Sequence, residues 1–234
     1  MVRLLERTHI RVGNPEYAEE NQSFGLSTMR NRHVQVRGHR LQFRFRGKSG
    51  KFHEVDLANK RLARIVKRCQ DLPGYELFQY IDDAGEIRNM TSEDVNDYLR
   101  AIAGEEFSAK DFRTWAGTTL AAKILQHLDD DNEEPTESAL VKAIDEVAAA
   151  LGNARAVCRK YYVHPAIMDA YLRGTLTQSF IDQSPRATRT GLSPKETCAL
   201  RLLKRRCAPG YGNSHASRRG ALTHFINSPA PAAA

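Results

Sequence analysis

Cysteine is scarce in this chain. Its 234 residues include four, Cys69, Cys158, Cys198 and Cys207, and no two form a C-x-x-C pair. That scatter excludes a disulfide framework and a cysteine-built zinc cage, so the four read as reduced thiols. The eight histidines are no closer to ligand spacing, and neither a metal nor any other cofactor is expected. Long apolar runs are missing too: nothing approaches the roughly 20 residues that a membrane-spanning helix needs. The opening MVRLLERTHIRVGN lacks the apolar core and small-residue cleavage site of a secretory signal. The expectation is a soluble, cytoplasmic monomer with no membrane partner.

What is present is charge, unevenly placed. Residues 1–70 hold 16 Lys/Arg against 6 Asp/Glu, residues 71–150 hold 6 against 19, and residues 151–234 hold 13 against 3. Two basic segments thus flank an acidic one in a chain of net charge +7. Such a chain can fold with a basic face backed by an acidic one, and a basic face favours a polyanion, above all nucleic acid.

The length suits one principal domain with a small extension. Between residues 24 and 57, apolar and polar residues alternate through FGLSTM, HVQVRG, RLQFRFRG and KFHEVDL, separated by RNR, GH and GKSG. That is the pattern of a small antiparallel sheet. In RLQFRFRG, Leu41, Phe43 and Phe45 alternate with Arg40, Gln42, Arg44 and Arg46. One face can therefore bury while the other, nearly all guanidinium, suits a phosphate backbone.

From Asn59 onward helices take over, beginning with NKRLARIVKRCQ. After the short strand-like runs YELFQYID and EIRNM, the helix TSEDVNDYLRAIAG starts on a capping Thr91 with Glu93 and Asp94 in its first turn. SAKDFRTWAGTTLAAKILQHL is the longest, with Phe112, Ala116, Leu120, Ile124 and Leu128 spaced four apart as its core stripe. An acidic loop at 129–135 leads to TESALVKAIDEVAAALGN, closed by Gly152 and Asn153. The fold class is therefore mainly α with a small antiparallel β-sheet, an α+β arrangement. Residues 1–175 form the main domain, with a sheet region at 24–57 and mostly helices over 59–175. Residues 176–234 form a basic extension with a helix at about 193–206 and a disordered tail.

The stretch CRKYYVHPAIMDAYL (158–172) sets Tyr161, Tyr162 and Tyr171 among basic residues. Tyr171 shares a helix face with Ile167 and Ala170, a packing position. RGKSG at 46–50 is not a phosphate-cradling loop, because Gln42 stands where its first glycine must be and a strand follows. A different phosphate chemistry fits the residue types. A tyrosine oxygen attacking a phosphodiester needs cations for the non-bridging oxygens, which Arg supplies as a rigid, always-charged fork. It also needs a general acid for the leaving 5′ oxygen, a role open to Lys at a hairpin tip. Arg113 in KDFRTW lies beside Phe112 and Trp115 and is either paired with an acid or aimed at a substrate anion; composition alone favours the paired, structural role.

IRVGN (10–14), FRGKSGK (45–51), KDFRTW (110–115) and LGNARAVCRKYYVHP (151–165) follow in the order and approximate spacing of the catalytic domain of type IB DNA topoisomerases. From about residue 2 to about residue 175 the chain resembles that family, its bacterial, poxvirus-like branch most. The resemblance implies the tyrosine recombinase/topoisomerase catalytic fold and double-stranded DNA as partner, on the bacterial nucleoid. It makes Arg11 and Arg113 the phosphate-clamping arginines, Lys48 the general acid and Tyr162 the nucleophile, with Tyr161 at a variable position. Asn153 stands where the family commonly has histidine. An amide N–H can still donate to a phosphate oxygen but cannot titrate, and a helix-capping role for Asn153 stays open beside it. Further DNA contacts are expected from Tyr17, Arg40, Arg44, Arg46, Lys51 and Lys110.

The reaction so implied joins Tyr162 to a DNA 3′-phosphate, frees a 5′-hydroxyl that later attacks back, and relaxes supercoils without ATP or metal. The family's amino-terminal β-rich clamp domain has no counterpart ahead of VRLLERTHIRVGN. The expectation is a catalytic domain alone, binding DNA with more salt sensitivity than a full clamp. Two alternatives stand beside this reading. A tyrosine site-specific recombinase typically carries His-x-x-Arg where this chain has KDFR, with Lys110 in the histidine place. A non-catalytic nucleic-acid-binding module would need only the basic surface.

Overall fold

Three strands, β1 (Val34–Arg37), β2 (Arg40–Arg46) and β3 (Phe52–Ala58), form an antiparallel meander in the computed structural model, which describes residues 1–130, 134–176 and 192–206. The register follows the alternation of the sequence: Val34 faces Phe43, Val36 faces Leu41, and Leu41 and Phe43 face Leu57 and Val55. These residues share the inner face. The expected fourth strand, FGLSTM, is instead a 3₁₀ turn at Leu26–Thr28. Leu26, Ser27, Thr28 and Met29 are all buried, so no face of the segment alternates outward. The Thr28 hydroxyl accepts from the Gly25 amide at 3.0 Å, a local bond that competes with strand pairing.

The chain divides into two compact units, residues 1–112 and residues from 113 on. Compactness thus divides it elsewhere than the extent of the family resemblance does. In the first unit, helices α1 (Val2–Thr8), α2 (Pro15–Asn21), α3 (Lys60–Gln70) and α4 (Ser92–Ala103) accompany the sheet and a two-stranded ribbon of β4 (Gln79–Ile81) and β5 (Ile87–Asn89). Side chains start these helices. Asn59 accepts from Leu62 N at 2.9 Å to open α3, and Thr91 and Asp94 cap each other's amides to open α4. The core joins Leu4, Leu5, Leu26, Leu41, Phe43, Val66 and Leu77.

Helix α5 (Ala109–Asp130) contains the boundary between the units. Its expected stripe is only partly the buried one: Leu120, Ile124 and Leu128 are half-buried, whereas Arg113, Ala116, Gly117, Thr118, Ala121, Ala122 and Leu125 are buried. Small residues on that face let neighbouring backbone come close. In the second unit, α6 (Glu137–Leu151) buries Leu140, Ala143, Ile144, Val147 and Leu151, one side at helical spacing. It ends at Gly152, whose φ of 62° suits a residue without Cβ, and the Asn153 amide donates to Ala148 O at 2.8 Å.

The short helices α7 (Arg155–Tyr161) and α8 (Pro165–Leu172) follow. The helix expected at 193–206 is α9 (Pro194–Arg206), and Ala199, Leu202 and Leu203 bury it in the same core as α6 and α8. Trp115 Nε1 donates to Glu196 Oε1 at 3.1 Å. This part of the extension is therefore structural. The acidic loop's residues 131–133 and the expected tail beyond 206 lie outside the described residues.

Candidate functional site

The three tyrosines have three different fates. Tyr161 is 49 % exposed, with Lys160 Nζ 5.1 Å from its ring centre. Tyr171 is fully buried against Ile167 and Ala170, as its helix face indicated. Tyr162 is half-buried where α7 ends, its amide donating to Cys158 O at 3.0 Å. Helix α8 begins just beyond, with His164 Nδ1 accepting from Ala166 N at 3.1 Å and Pro165 in the first turn. Burial lowers the His164 pKa, against an opposing pull from Asp169, which suits a neutral ring accepting at Nδ1.

The Arg113 guanidinium lies over the Tyr162 ring, its Cζ 5.3 Å from the ring centre. It is 5 % exposed, and its Nη2 donates to Leu151 O at 2.6 Å, a carbonyl at the negative end of α6. That bond runs to a backbone carbonyl. Asn153 follows two residues later, half-buried, its amide capping α6. The end of α6 and the start of the second unit's share of α5 thus bring Arg113 and the Leu151–Asn153 turn together, with Tyr162 beside Arg113.

Arg11 and Lys48 belong to the first unit. Arg11 lies in a segment sewn to the 3₁₀ turn: Leu26 N donates to Arg11 O at 2.9 Å and Ser27 N to Val12 O at 2.6 Å. Gly25 permits this, since a Cβ there would lie 2.6 Å from Arg11 O and 2.5 Å from the Gly13 backbone. Lys48 is exposed on the 3₁₀ tip (Lys48–Gly50) between β2 and β3, which Gly47 N and Lys51 O close at 2.7 Å. His53 stacks on Phe45 beneath this tip, ring centres 5.2 Å apart.

Tyr17, Arg40, Arg44, Arg46, Lys51 and Lys110 are all exposed. The outer sheet face is less cationic than β2 alone indicates. Arg44 Nη2 lies 2.7 Å from Glu54 Oε1, Gln42 donates to the same carboxylate at 3.1 Å, and Asp56 stands opposite Gln42. A single strand read by itself hides what its neighbour contributes. The sequence placed α3, but its basic face went unread: it exposes Lys60, Arg61, Arg64, Lys67 and Arg68 while burying Ala63 and Val66, and its charge spacing was legible. Among the described residues no three His, Cys, Asp or Glu side chains gather to hold a metal ion, and no helix is long and apolar enough to cross a membrane.

Residues 1–180 match the family described as eukaryotic DNA topoisomerase I, catalytic core. Over 179 residues the chain is 29% identical to the DNA topoisomerase 1B of Acanthamoeba polyphaga mimivirus, an alignment that covers 73% of this chain and 53% of the viral protein. The chain spans about half the length of that relative.

Proposed function

Because the chain belongs to the family of the DNA topoisomerase I catalytic core, we propose that it relaxes supercoiled double-stranded DNA by reversible transesterification at Tyr162. The observation that carries this reading is the Arg113 guanidinium, held by Leu151 O and lying 5.3 Å from the Tyr162 ring centre.

In this reading the Tyr162 hydroxyl releases its proton to solvent as its oxygen attacks a backbone phosphorus, and the bond from phosphorus to the 5′ oxygen breaks. The products are a 3′-phosphotyrosyl link and a 5′-hydroxyl. Lys48 supplies the proton to the leaving oxygen, a role suited to an exposed amine on a hairpin tip. Arg11 and Arg113 neutralise charge that grows on the non-bridging oxygens. Asn153 donates an amide N–H to one of those oxygens, and its backbone caps α6. The free strand swivels, then its 5′-hydroxyl attacks back and restores the original bond. The phosphotyrosine conserves the bond energy, so the cycle calls for neither ATP nor a metal. Tyr17, Arg40, Arg46, Lys51 and Lys110 hold the duplex through its phosphates, with Arg44 shared between DNA and Glu54.

The test is incubation with negatively supercoiled plasmid in EDTA without ATP, beside Tyr162→Phe, with SDS quenching to trap adducts. Relaxation and a covalent 3′ adduct, both lost in Tyr162→Phe, are expected. Binding without relaxation or adduct in the parent protein overturns the reading in favour of a binding module.

A further inference from the structure

Two adjacent threonines on α5 use their hydroxyls differently. Thr119 Oγ1 donates back along its own helix, to Trp115 O at 2.9 Å, as a mid-helix threonine ordinarily does. Thr118, fully buried, leaves its helix altogether. Its Oγ1 donates to Tyr162 O at 3.2 Å and accepts from His164 N at 3.1 Å. A hydroxyl has one proton and two lone pairs, and here a single group serves both a carbonyl and an amide of the link between α7 and α8. Those backbone groups lie where one helix ends and the next begins, where intrahelical partners run out. Val163 between them is 3 % exposed.

One residue earlier, Gly117 allows the approach. A Cβ at Gly117 would stand 2.6 Å from Tyr162 O, 3.1 Å from Tyr162 Cβ and 3.2 Å from Tyr162 C. Two of these atoms are backbone and cannot turn aside. A glycine inside a helix carries a conformational cost, and at this position it lets Tyr162 lie directly on α5. Arg113, Gly117 and Thr118, at i, i+4 and i+5, thus all meet Tyr162: guanidinium beside ring, bare Cα against carbonyl, hydroxyl bonded to that carbonyl.

We propose that Thr118, with Gly117 beneath it, is the positioning residue for Tyr162, fixing the Tyr162–His164 link so that the phenol is presented from a rigid helix. This rests on Tyr162 being the nucleophile. Thr118 touches no reacting atom; it acts through the backbone of the residue that does. Misplacing a reacting group by about 1 Å costs on the order of 100-fold in rate, so the effect should fall on chemistry and leave DNA binding alone.

The experiment compares Thr118→Val, which keeps shape and loses the hydroxyl, with Thr118→Ser, which keeps the hydroxyl. Single-turnover adduct formation on a nicked suicide duplex is measured together with duplex Kd. Thr118→Val should slow adduct formation roughly 10- to 100-fold with Kd unchanged, and Thr118→Ser should return most of the rate. Gly117→Ala should slow it likewise. In parallel, 3-fluorotyrosine at position 162 should shift or broaden its ¹⁹F line in Thr118→Val and regain the parent line in Thr118→Ser. Equal rates in all variants, equal losses in Val and Ser, or an unmoved ¹⁹F line each overturn the proposal. A parent protein that forms no adduct sinks the assignment of Tyr162 as nucleophile, while the ¹⁹F comparison still decides whether Thr118 fixes it.

Discussion

The Arg113 guanidinium carbon lies 5.3 Å from the centre of the Tyr162 ring, and the same guanidinium donates to Leu151 O at 2.6 Å. The carbonyl holds the fork where its Cζ sits over the tyrosine ring. Arg113→Ala should lower single-turnover adduct formation by about 10²–10³, the scale of losing one preorganised donor. Arg113→Lys should recover little, because a compact ammonium cannot hold the carbonyl and flank the ring at once. Near-parental cleavage by Arg113→Ala would show that its role is only to close α6.

The neighbouring tyrosines supply an internal control. Tyr171 is fully buried in the core of α6, α8 and α9, so Tyr171→Ala should destabilise the protein by about 3–5 kcal/mol, the range for large aromatics. Tyr161, half exposed on α7, should tolerate Phe with neither adduct yield nor denaturation midpoint changed. Loss of the adduct in Tyr161→Phe would move the nucleophile by one residue.

Much of this arrangement was legible in the residues. Period-two alternation placed β1 to β3, Thr91 and Asp94 marked the start of α4, and Ile167, Ala170 and Tyr171 identified a buried face. The 3₁₀ turn at Leu26–Thr28 was not, because beside its local bonds the Leu26 and Ser27 amides donate to Arg11 O and Val12 O, outside the segment itself. Nor was the true face of α5. A stripe of large apolar residues is the signal a sequence offers, whereas Gly117, Thr118, Ala121 and Ala122 bury by being small. Gly117 and Thr118 gain meaning only once Tyr162 is seen against them. Glu54 likewise changes the reading of Arg44 only after β2 and β3 are paired.

Helix α9 yields a prediction about the extension. Leu202 and Leu203 are 2% and 0% exposed in a core shared with α6 and α8, and Glu196 receives the Trp115 indole N–H. Leu203→Ala should cost about 2–5 kcal/mol, and truncation before residue 192 should open the second unit to hydrogen exchange along α6 and α8. Truncated protein with parental protection in those helices would make α9 dispensable.

His33 gives the first unit a pH dependence of definite sign. It is 8% exposed, its Nδ1 accepts from Arg30 N at 3.1 Å, and its ring lies 4.4 Å from that of Phe24. Burial first, then the charges of Arg32 and Arg30, push its pKa down from 6.5 to about 4. The unfolded chain takes up a proton near 6.5 while the native state resists until about 4. Between those values the unfolded state binds more protons, so stability is complete above 6.5 and drains away as pH falls toward 4. Asp82 and Asp94 are held below their usual 3.8 by hydrogen bonds, so their contributions are lost only at lower pH. Hydrogen-exchange protection of the β1 and β2 amides should therefore decline from pH 6.5 to 4.5 in the parent protein, after correction for intrinsic exchange. It should decline less in His33→Gln, whose amide oxygen can still accept from Arg30 N. Parallel declines in the two proteins would assign the dependence to other groups.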